Sequence, residues 1–113
     1  MDAEERRIQR VLKGIDPEDD WEAMNRWRIH LRKVLNFPFQ AKGAESQEGG
    51  SLRTGDKIVV TRILDVDDKY GVIADVQDKR EGFSFPLCDL EAIPKTSRNY
   101  RRLKDYVIWF ANR

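Results

Sequence analysis

The residues best placed to do chemistry in this chain are carboxylates. Asp65-Val66-Asp67-Asp68 sets three acids within four residues, at the tip of a predicted hairpin. In extended backbone Asp65 and Asp67 point to one face, because side chains alternate along a strand, and Asp68 enters the turn. Carboxylates in this pattern are oxygen ligands for a hard cation. Ca²⁺ gathers roughly six to eight oxygens from carboxylates, carbonyls and water, and a turn with clustered Asp provides some of them. The segment is not an EF-hand. Counted from Asp65, the positions where that loop needs Gly and Glu hold Tyr70 and Val76. An acid-rich hairpin tip is also an ordinary solvated turn, and the residues alone leave both readings open. Asp78, Glu81, Asp89 and Glu91 could approach from neighbouring loops. The Glu18-Asp19-Asp20 cluster is accounted for by the polarity of a helix start.

Other chemistry is thinly represented. His30 is the only histidine, on a helix among Arg28, Arg32 and Lys33, which disfavour its protonation; it reads as a surface helix residue. Cys88, the only cysteine, reads as a buried structural thiol. There is no Gly-rich phosphate loop, no Cys/His spacing for a transition metal and no nucleophile motif. The expectation is a non-enzymatic protein with no catalytic set. Arg98, Arg101, Arg102 and Lys104, with Tyr100, would suit a helix facing nucleic acid. A net charge of +1 gives little long-range attraction to phosphates, which disfavours that partner. Trp21, Trp27 and Trp109 read as core anchors.

That net charge hides an asymmetry. Residues 1–35 carry eight basic and eight acidic side chains, residues 36–93 carry seven and eleven, and residues 94–113 carry six and one. An acidic middle beside a basic end fits a cation site next to an anion-facing helix. The ordinary reading is internal complementarity, with the basic helix lying against acidic loops, since mixed charge is normal on small domains. At 113 residues, with 36% charged residues and a mean hydropathy of -0.70, the chain reads as one small soluble domain over 1–113. No apolar run reaches the roughly 18 residues of a membrane span, so no membrane association is expected. The N-terminal residues contain no apolar stretch of the signal-peptide kind. With a lone cysteine, this predicts a cytoplasmic location.

The elements that must position these residues follow from hydrophobic periodicity. Residues 4–13 read as a short helix stopped by Gly14. A second helix starts with Asp16 as N-cap and Pro17 as first helical residue. Met24, Trp27, Leu31 and Val34 form its apolar stripe, widened by Trp21 and Leu35. Phe37-Pro38-Phe39 ends this 1–35 helical part. Gly43 to Ser51 is a polar loop and Thr54-Gly55-Asp56 a turn. Residues 52–93 are a strand cluster: a run from Lys57 to Leu64, another from Tyr70 to Val76, and a third at Phe83 and Phe85 closed by Pro86. Leu87 to Ile93 is either a fourth strand or a short helical turn. The C-terminal helix occupies 96–113, capped by Thr96 or Ser97, with Tyr100, Leu103, Val107 and Phe110 on one face. The predicted class is α+β: a small curved antiparallel sheet or SH3-like barrel, flanked by N-terminal helices and a C-terminal helix.

Several of these residues carry a family resemblance. Phe37-Pro38-Phe39, Gly55-Asp56 before a β run, Tyr70-Gly71, Pro86-Leu87 with Asp89-Leu90-Glu91, and Asp105-Tyr106 leading to Trp109-Phe110-Ala111-Asn112-Arg113 together resemble the CcbP-type calcium-binding proteins, a family of small bacterial proteins. The similarity spans about residues 21–113, and its most specific part is the terminal motif. It implies a compact cytosolic Ca²⁺-binding domain, a buffer or sensor. It assigns no ligand to a position, so Asp65, Asp67 and Asp68 rest on their clustering. The near-neutral charge makes low affinity the expectation, since calcium affinity rises with ligand charge. The expected partners are the calcium ion and a protein. The alternative is a protein- or nucleic-acid-binding adaptor module on a small β-barrel, using an exposed sheet face or Arg101 and Arg102.

Overall fold

The computed structural model describes residues 1–44, 56–79 and 81–113. The order of elements is α1 (Ala3–Val11), α2 (Asp20–Val34), β1 (Phe39–Gly43), β2 (Lys57–Asp67), β3 (Gly71–Gln77), β4 (Gly82–Pro86), a single 3₁₀ turn (Leu87–Asp89), β5 (Leu90–Ala92) and α3 (Arg98–Asn112). Most of the polar 43–51 loop and the Thr54-Gly55 turn lie outside the described residues.

The five strands form one antiparallel sheet in the order β4-β3-β2-β1-β5. Its outer strands, β4 and β5, do not pair with each other, so the sheet is open and the barrel alternative is set aside. Two register shifts in β2, between Val60 and Arg62 and between Ile63 and Asp65, bend and twist that strand. The Leu87–Ile93 alternatives both hold in part: a 3₁₀ turn leads directly into β5, which lies on β1 with Ala41 opposite Ala92. β1 escaped sequence reasoning. Its five residues, Phe39-Gln40-Ala41-Lys42-Gly43, contain no β-branched side chain. It becomes a strand because β2 and β5 flank it, with Phe39 and Ala41 turned into the core.

The helices begin on side-chain caps. Asp2 accepts from Glu5 N at 2.8 Å, and Ser97 accepts from Tyr100 N at 3.2 Å. At α2 the cap is Asp19, which accepts from Glu22 N at 3.0 Å, and not the expected Asp16. Asp16 instead closes a tight turn, with Glu18 N on its Oδ1 at 2.9 Å and Asp19 N on its carbonyl at 2.9 Å. That turn delays the helix by one short segment. Leu35, in extended backbone, ends it.

Trp27, Leu31 and Leu35 of the α2 stripe, with Leu103 and Tyr106 of α3, meet Val60, Ile63, Val72, Ala74 and Val76 of the sheet in one core. α2 packs on β2 and β3, α3 on the 3₁₀ turn and β5, and α1 rests on both helices. Trp21 is exposed, which corrects its assignment as a core anchor; Trp109 is partly buried against the core. Buried Asn99 ties α3 to the end of α2. Its Oδ1 accepts from Asn36 N at 3.0 Å and its Nδ2 donates to Asn36 O at 2.9 Å.

Candidate metal site

The β2–β3 hairpin presents the predicted carboxylates. Asp65 and Asp67 both lie in β2, and Asp68 to Tyr70 form the turn. Val66 packs against the core, so strand alternation places Asp65 and Asp67 together on the opposite, solvent-facing side. This is the shared face that their spacing predicts. Asp67 pairs in register with Gly71, and Asp65 with Ile73.

Each strand carboxylate is partly committed to the backbone. Asp67 Oδ1 accepts from Lys69 N at 2.8 Å and Tyr70 N at 2.9 Å, an Asx-type closure of the turn. These two N–H groups, Tyr70 first and Lys69 second, hold the Asp67 carboxyl below the ordinary carboxylate range. Asp65 Oδ1 accepts from Val66 N at 2.8 Å. The Lys69 ammonium lies 5.3 Å from the Tyr70 ring centroid, a cation–π contact. Among the described residues, no three carboxylate, thiol or imidazole side chains gather into a metal-holding group. The hairpin therefore offers hard oxygen donors on one exposed face without a closed cage. The donor chemistry fits Ca²⁺, which takes carbonyl and water oxygens beside carboxylates, and fits softer metals poorly.

Other carboxylates have structural partners. Asp75 meets Arg62 at 3.0 Å, Asp105 meets Arg7 at 2.8 Å, and Glu91 stands 3.9 Å from both Lys42 and Lys95. Asp78 Oδ1 accepts from Glu81 N across its turn at 3.1 Å.

Cys88 is half-buried, with Sγ donating to Tyr70 O at 3.7 Å, and burial pushes its thiol up to about 12. His30 departs from its reading as a surface residue. It is half-buried, edge-on to Trp27 at 5.8 Å between ring centroids, and lines a cleft between the three helices. Burial, then the charge of Arg102, hold its imidazole below the ordinary value, against the opposing pull of Asp105. The basic residues of α3 do not form one outward face. Arg102 turns inward and donates to Val34 O, while Lys104 lies over Tyr100, 5.8 Å from its ring centroid. No described ion pair joins α3's basic residues to acidic loops. Just before that helix, Lys95 of the basic end stands 3.9 Å from Glu91 of the acidic middle.

The fold and the hairpin define a small α+β domain with hard-cation donors on a strand turn. A family model described as calcium binding, that of the CcbP proteins, matches residues 6–110, and the chain belongs to that family. Two solved structures share the fold. The crystal structure of Anabaena CcbP aligns at 22% identity and a TM-score of 0.70, covering 94% of this chain and 90% of that one. A calcium binding protein in its calcium-binding form aligns at 24% identity and a TM-score of 0.71, covering 99% and 97%. A comparison with curated proteins finds no match. No helix among the described residues is long and apolar enough to cross a membrane.

Proposed function

We propose that this protein is a non-enzymatic cytoplasmic Ca²⁺ buffer or sensor, and that the 65–68 hairpin supplies carboxylate oxygens to the ion. The observation that carries the proposal is the condition of Asp67. Two main-chain N–H groups fix its Oδ1 and keep the group ionised. No described hydrogen bond uses its Oδ2. A ligand that is already charged and oriented costs little to recruit. Asp65 shares its face and Asp68 follows in the turn, so three anionic side chains stand where a hydrated cation can approach. Carbonyl and water oxygens would complete the shell. Few protein ligands on an exposed turn make for weak binding, in the micromolar to sub-millimolar range. The non-enzymatic assignment draws support from the two groups best suited to nucleophilic or base chemistry: Cys88 is held as a thiol and His30 stands beside arginines.

The test is calorimetric titration of chelator-stripped protein with Ca²⁺, with Mg²⁺ as control, repeated on D67N/D68N. Saturable Ca²⁺ binding that weakens in the variant, with unchanged circular dichroism, supports the proposal. Binding that is unchanged in the variant removes the hairpin from the site. A flat trace with the wild-type protein overturns the calcium function itself.

A further inference from the structure

The cleft between α1, α2 and α3 has a volume of about 420 Å³ and is lined by Arg7, Arg10, Arg26, His30, Arg101 and Arg102, with Trp27 and Asp105 among its other walls. Five guanidinium groups face one carboxylate there. Gathering like charge in a concavity is costly unless each charge is answered, so each arginine needs an account. Arg7 is answered by Asp105 through two bonds, of 2.8 and 3.1 Å. Arg26 donates to Val11 O at the end of α1, at 3.0 Å, and to Lys13 O in the turn beyond it, at 3.2 Å. Arg102 donates to Val34 O at the end of α2. These three have structural roles, and two of them meet neutral carbonyls that leave their charge in place.

Arg10 and Arg101 have no such role. Both are exposed side chains, one from α1 and one from α3, and neither has a hydrogen-bond or ion-pair partner among the described residues. The cleft wall includes a buried indole. Trp27 is 1% exposed, and its indole N–H meets no acceptor among the described residues. A buried donor without an acceptor is uncommon in folded proteins. The cleft thus combines excess positive charge with two uncommitted guanidinium forks.

We propose that this cleft binds a small, multiply charged oxyanion of the phosphate class, inorganic phosphate or pyrophosphate, with Arg10 and Arg101 as its direct ligands. Guanidinium forks match the paired oxygens of a phosphate group and bind it bidentately. The volume falls within the range of small-ligand sites. The Trp27 ring in the wall is buried and gives a nucleobase no face to stack on, so the phosphate moiety carries the recognition. His30 reports on the site. Arg102 and Lys33 oppose its protonation and Asp105 favours it. A bound anion tips that balance toward the imidazolium.

The test titrates the full-length protein, in calcium-free buffer, with pyrophosphate, orthophosphate and a short single-stranded oligonucleotide. The wild type is compared with R10Q and R101Q, whose exposed positions leave folding intact. The expected result is saturable binding of pyrophosphate, weakened roughly tenfold by either substitution, as loss of a charge-assisted bond implies. The NMR titration of the single histidine moves to higher pH when pyrophosphate is present. Orthophosphate binding more weakly at the same residues also supports the site. Absence of binding by both inorganic anions overturns the proposal. So does inorganic-anion binding that survives both substitutions or leaves His30 unmoved. Oligonucleotide binding that pyrophosphate does not displace overturns it in favour of a nucleic-acid surface.

Discussion

Val72 donates its backbone N–H to the phenolic oxygen of Tyr106 at 2.8 Å, in the buried interior. The two residues belong to elements far apart in sequence, the start of β3 and the second half of α3. The bond passes beside Gly71, whose backbone sits at φ +73°. Gly71 is also the register partner of Asp67. The aromatic end of α3 is therefore clamped onto the turn end of the hairpin that carries the candidate calcium ligands. Tyr70-Gly71 and Asp105-Tyr106, which bear the family resemblance as separate motifs, form one contact.

Gly71→Ala is expected to destabilise the domain by about 2–4 kcal/mol. A β-carbon there would meet Phe110 Cε1 at 2.6 Å and press against the Tyr106 hydroxyl. The positive φ adds strain for any L side chain. Urea denaturation followed by tryptophan fluorescence measures the loss. Tyr106→Phe leaves Val72 N–H buried without its acceptor and should cost about 1–3 kcal/mol. Because Tyr106→Phe also removes one of the clashing atoms, the double variant should lose less than the sum of the two single changes. Strict additivity would show that the clamp is not a unit.

Arg7 and Asp105 form the link that docks α1 on α3. The Asp105 side chain is 8% exposed and that of Arg7 31%. Arg7→Met strands a buried carboxylate and should cost about 1–3 kcal/mol, below the value for a fully buried pair because water still reaches the guanidinium side. Replacing both partners, Arg7→Met with Asp105→Leu, removes the stranded charge as well. That variant should be more stable than Arg7→Met alone, again by urea denaturation. Equal losses would mean that the guanidinium contributes by packing alone.

These contacts show where sequence reasoning succeeds and where it stops. α2 and α3 were legible because Met24, Trp27 and Leu31, and Leu103 with Val107, repeat at helical spacing over many turns. The shared face of Asp65 and Asp67 was legible because strand alternation is local. β1 was not, since Ala41 and Gly43 become strand residues only through neighbours distant in sequence. The His30 cleft was hidden for the same reason. Arg10 and Arg101 are 91 positions apart, and only the packing of α1 on α3 places both beside an α2 histidine.

His30 should leave a mark on the pH dependence of stability. Burial and Arg102 depress its folded pKa below the usual 6.5, Lys33 acts in the same direction, and Asp105, itself paired with Arg7, opposes them. Between the unfolded and folded values the unfolded chain binds the proton and the native chain does not, so stability falls as pH drops below about 6.5. The loss saturates once pH is below the folded value. His30→Asn should remove this component. Melting temperatures of the two proteins, compared from pH 7.5 to 5, should show the wild type declining relative to the variant. Parallel profiles would mean that His30 titrates alike in both states.

Asp67 allows the ligand role to be separated from the turn role. Asp67→Asn keeps an oxygen that can accept from Lys69 N and Tyr70 N, so the turn survives while the charge is lost. Asp67→Ala loses both. Calcium affinity should fall in both variants, whereas the melting temperature should fall more in Asp67→Ala. The carboxyl is depressed in the folded state, so the stability it contributes is present above the unfolded value, near 3.8, and is lost as pH falls through the lower folded value. Calcium binding by the wild type should therefore keep its Asp67 contribution at pH 5, where the group remains ionised. If Asp67→Asn bound calcium as tightly as the wild type while Asp67→Ala did not, the residue would serve the ion only by shaping the turn. The charge at the site would then have to come from Asp65 and Asp68.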